Sequence, residues 1–478
     1  MSTYADRSPR RPLPLLATLL VWLGVGICLL LAFMVALTAG RCDAFLAIPQ
    51  LCKLPVAVPA ALTIAAVPLV VRLAARRPFA WLFAAYIVLV PINEALFLGP
   101  SLTVTKILGI FVAVAAIATA VWKRAPIRLP GAVFAWAAVI ALMTLSIVWG
   151  IAPALSLPTI ITISSEFALL AVIVATPLER EDLRSVIIAT IASGAVVGVV
   201  ALVSGQHELS TIEGRVGRLY LNLGTGTLDP NLLGAALLLP IAMTVGAFGQ
   251  TKSWQRIGLL ALLLLTLTAV YLTGSRGTVL ALVAMAIVGI AASRHRVALS
   301  AALLAGVALM FAIPNEITWR FLASDVTGVS TGDLRLDIWQ VALPIFRNHW
   351  LLGTGVGTFP AAYDRAFFAA YQPQFAGWTA DPHGLLISTS TELGVVGIIF
   401  VGVALIMQYR SLSFIGPDHP YPWLRPVFTA AFVGLVVSAF FVDVMEKKFA
   451  WLLFTEMLVA VRFGTNARAT ACSRLRAE

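Results

Sequence analysis

Of the 478 residues, 60% are hydrophobic and 12% charged, the formal net charge is +11 and the mean hydropathy is +0.96. A soluble globular chain carries about 25% charged residues, so the composition excludes a soluble enzyme and predicts an all-α, polytopic integral membrane protein. No basic patch interleaved with aromatic residues occurs, and no nucleic-acid partner is expected.

Apolar windows able to cross about 30 Å of hydrocarbon are expected near 13–39, 54–74, 79–98, 103–122, 130–150, 157–176, 183–203, 231–248, 257–273, 277–292, 297–313, 384–407, 427–444 and 449–463. The first window is too long for a signal-peptide core and no small-x-small cleavage site follows it, so it is read as an uncleaved span. With the N-terminus in the cytoplasm, the alternate loops and the tail hold 21 of the 33 lysines and arginines. The positive-inside rule therefore puts both termini in the cytoplasm. Segments 204–230, 273–277 and 314–383 are then external.

The expected division is 1–203, N-terminal transmembrane helices; 204–313, transmembrane helices with an arginine-bearing loop and a Gly-Ser-Arg-Gly turn; 314–383, a long external loop; and 384–478, C-terminal helices and tail. Cys42 and Cys52 share the first external loop, either as a disulfide or as two thiols. There is no CxxC, no HExxH and no cluster of histidines and carboxylates at ligand spacing, so neither a metal nor a cofactor is expected.

Four external stretches carry candidate chemistry. In "GQHELSTIEGRVGRLYLNLGTGTLDPN", Arg215 and Arg218 precede a glycine-rich turn, and Asp229 or Asn231 is placed to cap the next helix. In "YLTGSRGTVLAL", Arg276 sits in a glycine-flanked turn that opens a helix, a combination suited to an anion. The plainer readings are two solvated arginines and one that snorkels to the interface.

In "TGDLRLDIWQVALPIFRNHWLLGTGVGTF", Leu334, Ile338, Val341 and Ile345 repeat at helical spacing, with Arg335, Trp339, Arg347 and His349 off that stripe. The segment predicts an amphipathic helix broken near Pro344. "GTGVGTF" resembles a nucleotide loop only superficially, since no strand precedes it. Tyr363, Tyr371, Phe375 and Trp378 follow, an aromatic run that suits sugar stacking or an interfacial belt equally.

Finally, "DPHGLLISTSTELGVVG" puts His383 at the mouth of the next span, with Asp381 expected as N-cap and Pro382 as first helical residue. A helix N-terminus disfavours imidazolium, which leaves a neutral imidazole able to take a proton. A histidine tolerated at a wet helix end is the plainer reading. Several guanidinium groups and one base on one side of a membrane suit transfer from a diphosphate: the arginines neutralise the leaving group and the base deprotonates the attacking hydroxyl.

In order and spacing, "GRVGRLYLN", "DPNLLG", "TGSRG", "RLDIWQVALPIFRNHWLLGTGVGTF" and "HGLLISTSTELGVVG" resemble the O-antigen ligase and polymerase superfamily of bacterial envelopes over roughly residues 200–465. The resemblance implies about 12–14 helices in a bacterial inner membrane and a periplasmic active site in the external segments. It implies a metal-independent, inverting glycosyltransferase that takes a glycan from undecaprenyl diphosphate to a sugar hydroxyl on lipid A core or a second lipid-linked glycan. His383 is then the catalytic residue, and Arg215, Arg218, Arg276 and Arg335 bind the diphosphate. Trp339, Arg347, Tyr363 and Trp378 are candidates for substrate contact. Many members have His-Asn where this chain has His383-Gly384. A transporter or flippase for a lipid-linked sugar or other anion stays open, on the ionisable Glu94, Lys106 and Glu166 in or near spans, as does a structural membrane subunit whose loop binds an envelope partner.

Overall fold

A computed structural model describes residues 77–97, 102–124, 127, 129–210, 215–222, 227–292, 333–370 and 382–475. In chain order the helices are α1 (Pro78–Leu89, extended by a 3-10 turn over Val90–Ala95), α2 (Val104–Trp122), α3 (Gly131–Leu145), α4 (Pro153–Ala175) and α5 (Arg180–Ser204). They continue with α6 (Pro230–Ala236), α7 (Leu238–Phe248), α8 (Ser253–Thr273), α9 (Arg276–Ala292), α10 (Asp333–Asn348), α11 (Phe359–Ala370), α12 (Leu385–Ser411), α13 (Leu424–Ala439) and α14 (Lys448–Leu475). Eight helical segments among the described residues are long and apolar enough to cross a membrane, and α9 and α13 are shorter apolar helices. The expected spans 13–39, 54–74 and 297–313 lie outside the described residues, as do Cys42 and Cys52; every other expected span coincides with a helix.

Helices in lipid gain nothing by hiding apolar side chains from water, so close approach and polar links must hold them together. Both occur here. A Cβ added to Gly194 of α5 lies 2.8 Å from Pro240 of α7, and one added to Gly434 of α13 lies 2.5 Å from Met285 of α9. At the centre, α14 buries Trp451, Leu453, Phe454, Met457 and Leu458. Trp136 of α3 stacks on Phe454 with ring centroids 5.0 Å apart. Its indole N–H donates to Gln408 Oε1 of α12 (3.2 Å), and Gln408 Nε2 donates to Phe454 O (3.1 Å).

The described residues are predominantly helical, as expected, with one small addition between α5 and α6, a three-stranded antiparallel sheet: β1 (Gly205–Ser210), β2 (Arg215–Asn222) and β3 (Thr227–Leu228), in that order. The register sets Glu208 opposite Arg218 and Leu221 opposite Leu228. Leu219, Leu221 and Leu228 are buried in the main core, which anchors the sheet to the helices.

A departure from regular helix lies inside α12. Gly394 takes φ 65° and ψ −160°, which breaks the helix. In an unbroken helix, Val395 N–H would donate to Thr391 O and Val396 N–H to Glu392 O. Instead the segment 350–355 intercepts all four groups. Thr354 N–H donates to Thr391 O (2.9 Å) and Gly355 N–H to Glu392 O (2.8 Å), while Val395 N–H donates to Trp350 O (2.8 Å) and Val396 N–H to Leu351 O (3.2 Å). Backbone opened inside a membrane protein must find partners within the protein, and this loop supplies every one of them.

The glycine-spaced loop is therefore a docking device, consistent with setting the nucleotide-loop likeness aside. Gly353 has φ 68°, and a Cβ there would lie 2.2 Å from the Glu392 carbonyl carbon. Gly355 (φ 99°) would meet Gly150 Cα at 2.7 Å. Only glycine has both the freedom to adopt a positive φ and the room for so close an approach. The Glu392 side chain closes the splice by accepting from Phe359 N–H at 3.1 Å.

The expected amphipathic helix is present as α10. Ile338, Val341 and Ile345 are buried against Phe359 and Tyr363 of α11, with Ile387 of α12 packed on the same cluster. The break expected near Pro344 does not occur: α10 runs through it to Asn348. Pro344 lies on the exposed face, where a proline ring meets no neighbouring helix and one missing backbone bond is tolerated.

Candidate functional site

The site is built where α6, α9, α12 and the end of α13 meet. Asp229 caps α6 as expected, accepting from Asn231 N–H (2.7 Å) and Leu232 N–H (3.4 Å), with Pro230 at the first helical position. This cap holds Asn231 against the next segment. Ser275 Oγ donates to Asn231 Oδ1 at 2.9 Å, and Thr278 N–H donates to Ser275 Oγ at 3.3 Å. Gly274 ends α8 in a left-handed conformation (φ 58°), so the chain reverses within two residues and starts α9 at Arg276. The "DPN" and "GSRG" segments, more than forty residues apart in sequence, thus form one hydrogen-bonded unit.

The same unit reaches the mouth of α12 through Phe440 and Phe441. A Cβ on Gly277 would lie 2.9 Å from the Phe441 ring, and one on Gly384 would lie 2.8 Å from Phe440 O. The residue after Arg276 and the residue after His383 therefore seat on consecutive residues of one turn. This contact also gives a physical reason for Gly384: an asparagine at that position would drive its Cβ into the Phe440 carbonyl.

His383 is exposed and has φ 43°. A left-handed backbone is uncommon outside glycine, and such outliers collect at functional sites. One expectation needs correction here. The helix begins at Leu385 with Gly384 as N-cap, so neither Pro382 nor His383 is helical, and Asp381 lies outside the described residues. Close packing of Gly384 on the Phe440 carbonyl fixes the entry of this helix, and no side-chain cap is present.

The other candidates are distributed as follows. Arg276 is exposed at the start of α9. Arg215 and Arg218 lie on β2, which pairs with β3 immediately before the Asp229 cap. Arg335 lies in the first turn of α10. Trp339 and Arg347 are exposed on α10, whereas Tyr363 is only 7% exposed, its ring 5.8 Å from that of Phe359. Trp378 lies outside the described residues. Among the described residues no three or more His, Cys, Asp and Glu side chains gather as a metal ion requires.

Residues 261–402 match the O-antigen ligase family model. No curated protein matches the chain. The matched region opens in α8 and closes in α12, so it includes Arg276, Arg335, His383 and the splice around Glu392 and Gly394, while Arg215 and Arg218 precede it. The match and the apolar helices support a membrane protein of the O-antigen ligase and polymerase type.

Sequence reasoning missed Glu392 and Gly394. "TELGVVG" reads as uninterrupted apolar helix, and the one signal available was a pair of glycine-rich stretches, "GTGVG" and "LGVVG", in the same half of the chain.

The ionisable residues that motivated a transport reading have partners inside the protein. Lys447 Nζ bonds Glu94 Oε1 at 2.8 Å. Lys448 Nζ lies 3.8 Å from Glu166 Oε1 and donates to Thr105 Oγ1 at 2.8 Å, and Tyr86 OH donates to Glu166 Oε2 at 3.3 Å. These contacts join α1, α2, α4 and the start of α14, and they account for buried charge without a transported ion.

Proposed function

We propose that the protein transfers a glycan from an undecaprenyl-diphosphate donor to a sugar hydroxyl on the periplasmic face, as an O-antigen ligase or a polysaccharide polymerase. The observation that carries this reading is the convergence of the Asn231–Ser275 unit, the Arg276 turn and the His383 turn on Phe440–Phe441, in a chain whose residues 261–402 match the O-antigen ligase family. Both termini are cytoplasmic on this reading, which follows the distribution of basic loops.

The acceptor oxygen attacks the anomeric carbon from the face opposite the diphosphate. A new C–O bond forms as the old one breaks, the configuration inverts, and undecaprenyl diphosphate leaves with the bonding electron pair. His383 takes the hydroxyl proton. Arg276 and Arg335, joined by Arg215 and Arg218 from β2, offset the charge that builds on the leaving diphosphate. The acceptor is lipid A core in a ligase and a second lipid-linked glycan in a polymerase. Trp339, Arg347, Tyr363 and Trp378 are assigned to the sugar side, Tyr363 from within the α10–α11 cluster.

Purified protein supplied with a short glycan on undecaprenyl diphosphate, in the presence of chelator, tests the reading. A ladder of products without added core identifies a polymerase, and a single mass increase on added core identifies a ligase. Donor that is moved across a reconstituted bilayer without any transfer product contradicts both and favours the flippase.

A further inference from the structure

At the end of the bundle away from His383, a cavity of about 880 Å³ opens between α3, α12, α13 and α14. Arg410, Arg425 and Arg462 line it, and among the described residues no aspartate or glutamate does. Its remaining wall is mixed: Ser411 and Thr429 are polar, while Met407 and Phe414 are apolar and substantially exposed. Along α12, more than twenty residues and the break at Gly394 separate the cavity, whose lining begins at Met407, from the His383 turn. It is no part of the candidate active site.

Basic residues near a membrane surface commonly snorkel toward headgroups one at a time. Here three from three helices share one cavity, and their placement is not explained by local helix electrostatics alone. Arg410 sits in the last turn of α12, where a cation complements the helix dipole. Arg425 does not: it is the second residue of α13, at the positive end of a helix with no acidic residue in its first turn and no side-chain cap. A cation there is unfavourable unless an anion lies beside it. Arg462 is held in the wall by donating through Nη1 to Val174 O and to Thr176 O, the latter at 2.6 Å, so its charge is fixed in position.

We propose that this cavity binds an anionic lipid, one whose phosphate ester carries a net negative charge, with its headgroup between Arg410, Arg425 and Arg462 and its chains lying toward Met407 and the exposed apolar flank of α12. An ionic headgroup answers the three guanidinium groups, and the mixed lining suits a ligand that is part polar and part hydrocarbon. The site goes beyond glycan transfer and does not depend on it.

The test uses full-length protein in neutral detergent, titrated with short-chain phosphatidylglycerol, with phosphatidylcholine of the same chains, or with inorganic phosphate, and read by thermal shift. Phosphatidylglycerol is expected to raise Tm with an affinity that falls at least about tenfold in Arg410→Gln/Arg425→Gln, while phosphatidylcholine gives no comparable shift. An equal, variant-sensitive shift with inorganic phosphate supports the anion site and makes free phosphate the source. Unchanged phosphatidylglycerol affinity in the double variant overturns the proposal. Should that variant not fold, photo-crosslinking of wild type with a photoactivatable phosphatidylglycerol decides: label on peptides spanning 129–132, 407–414, 425–429 or 461–462 supports it, and label confined to segments that do not line the cavity overturns it.

Discussion

The two ends of this helical bundle are held by different means. At the His383 end, backbone meets backbone: Gly353 seats on the Glu392 carbonyl, Gly384 on Phe440 O, and the Asn231–Ser275 hydrogen bond ties two helix starts together. At the opposite end charge meets charge, as it also does between Lys447 and Glu94 beside the candidate site. Arg77 pairs with Glu179 (2.9 Å) and Asp182 (3.1 Å), and Lys123 pairs with Glu179 (2.8 Å). Half-exposed ion pairs contribute little stability each, whereas a glycine contact has no substitute of similar shape. The lesson is that close backbone contacts, which no side chain can replace, fix the candidate site, while exposed ion pairs add little.

The comparison breaks most readily at Gly353. Alanine there meets a positive φ and the Glu392 backbone together, and the combined strain is expected to cost about 3 kcal/mol or more. Transfer activity and Tm should fall together, and a Gly353→Ala protein with unaltered Tm would contradict the splice. Next is Gly384→Asn, which restores the residue many resembling proteins have. Its clash with Phe440 O is expected to displace the His383 turn and lower turnover by at least about tenfold, with a smaller loss of Tm than Gly353→Ala.

Glu392 sharpens the picture further. Glu392→Ala leaves the Phe359 N–H without its acceptor and should cost about 1–3 kcal/mol. Glu392→Gln keeps a carbonyl oxygen and should cost under about 1 kcal/mol. Equal losses in the two variants would mean that the negative charge, rather than hydrogen-bond acceptance, holds the loop.

At the charged end, the smallest effect is expected from Glu179. The hydrogen bond from Lys123, with Arg77 adding attraction, holds its carboxyl below the ordinary value of 4.5. A lowered folded value means that its contribution is present above about pH 4.5 and is lost as pH falls through the folded value. Because Glu179 is half exposed, solvent screens the pair and the contribution should stay under about 1 kcal/mol. The Tm difference between wild type and Glu179→Gln should be small at pH 7 and vanish near pH 3.

Much of the fold was legible because its signals are local. Apolar windows located the membrane-crossing helices within the described residues, and Asp229 was one of the two residues expected to cap α6. What was not legible depended on partners distant in sequence. The strands at 205–228 gain their hydrogen bonds from each other and their burial from α5 and α8, and no single stretch of that loop shows either. Gly394 opens α12 only because 350–355 arrives to satisfy the freed groups, and Pro344 stays helical because its face is unopposed. The candidate site divides in the same way: His383 and Arg276 stood out as charges beside glycines, whereas Phe440 and Phe441, which join them, looked like ordinary apolar residues.

The central claim is that the turn bearing His383 performs glycan transfer. Wild type and His383→Ala, purified with matching Tm, should be compared for transfer of a glycan from undecaprenyl diphosphate. Loss of at least about a hundredfold in rate with donor binding retained is the predicted result. Transfer by His383→Ala at the wild-type rate would contradict it.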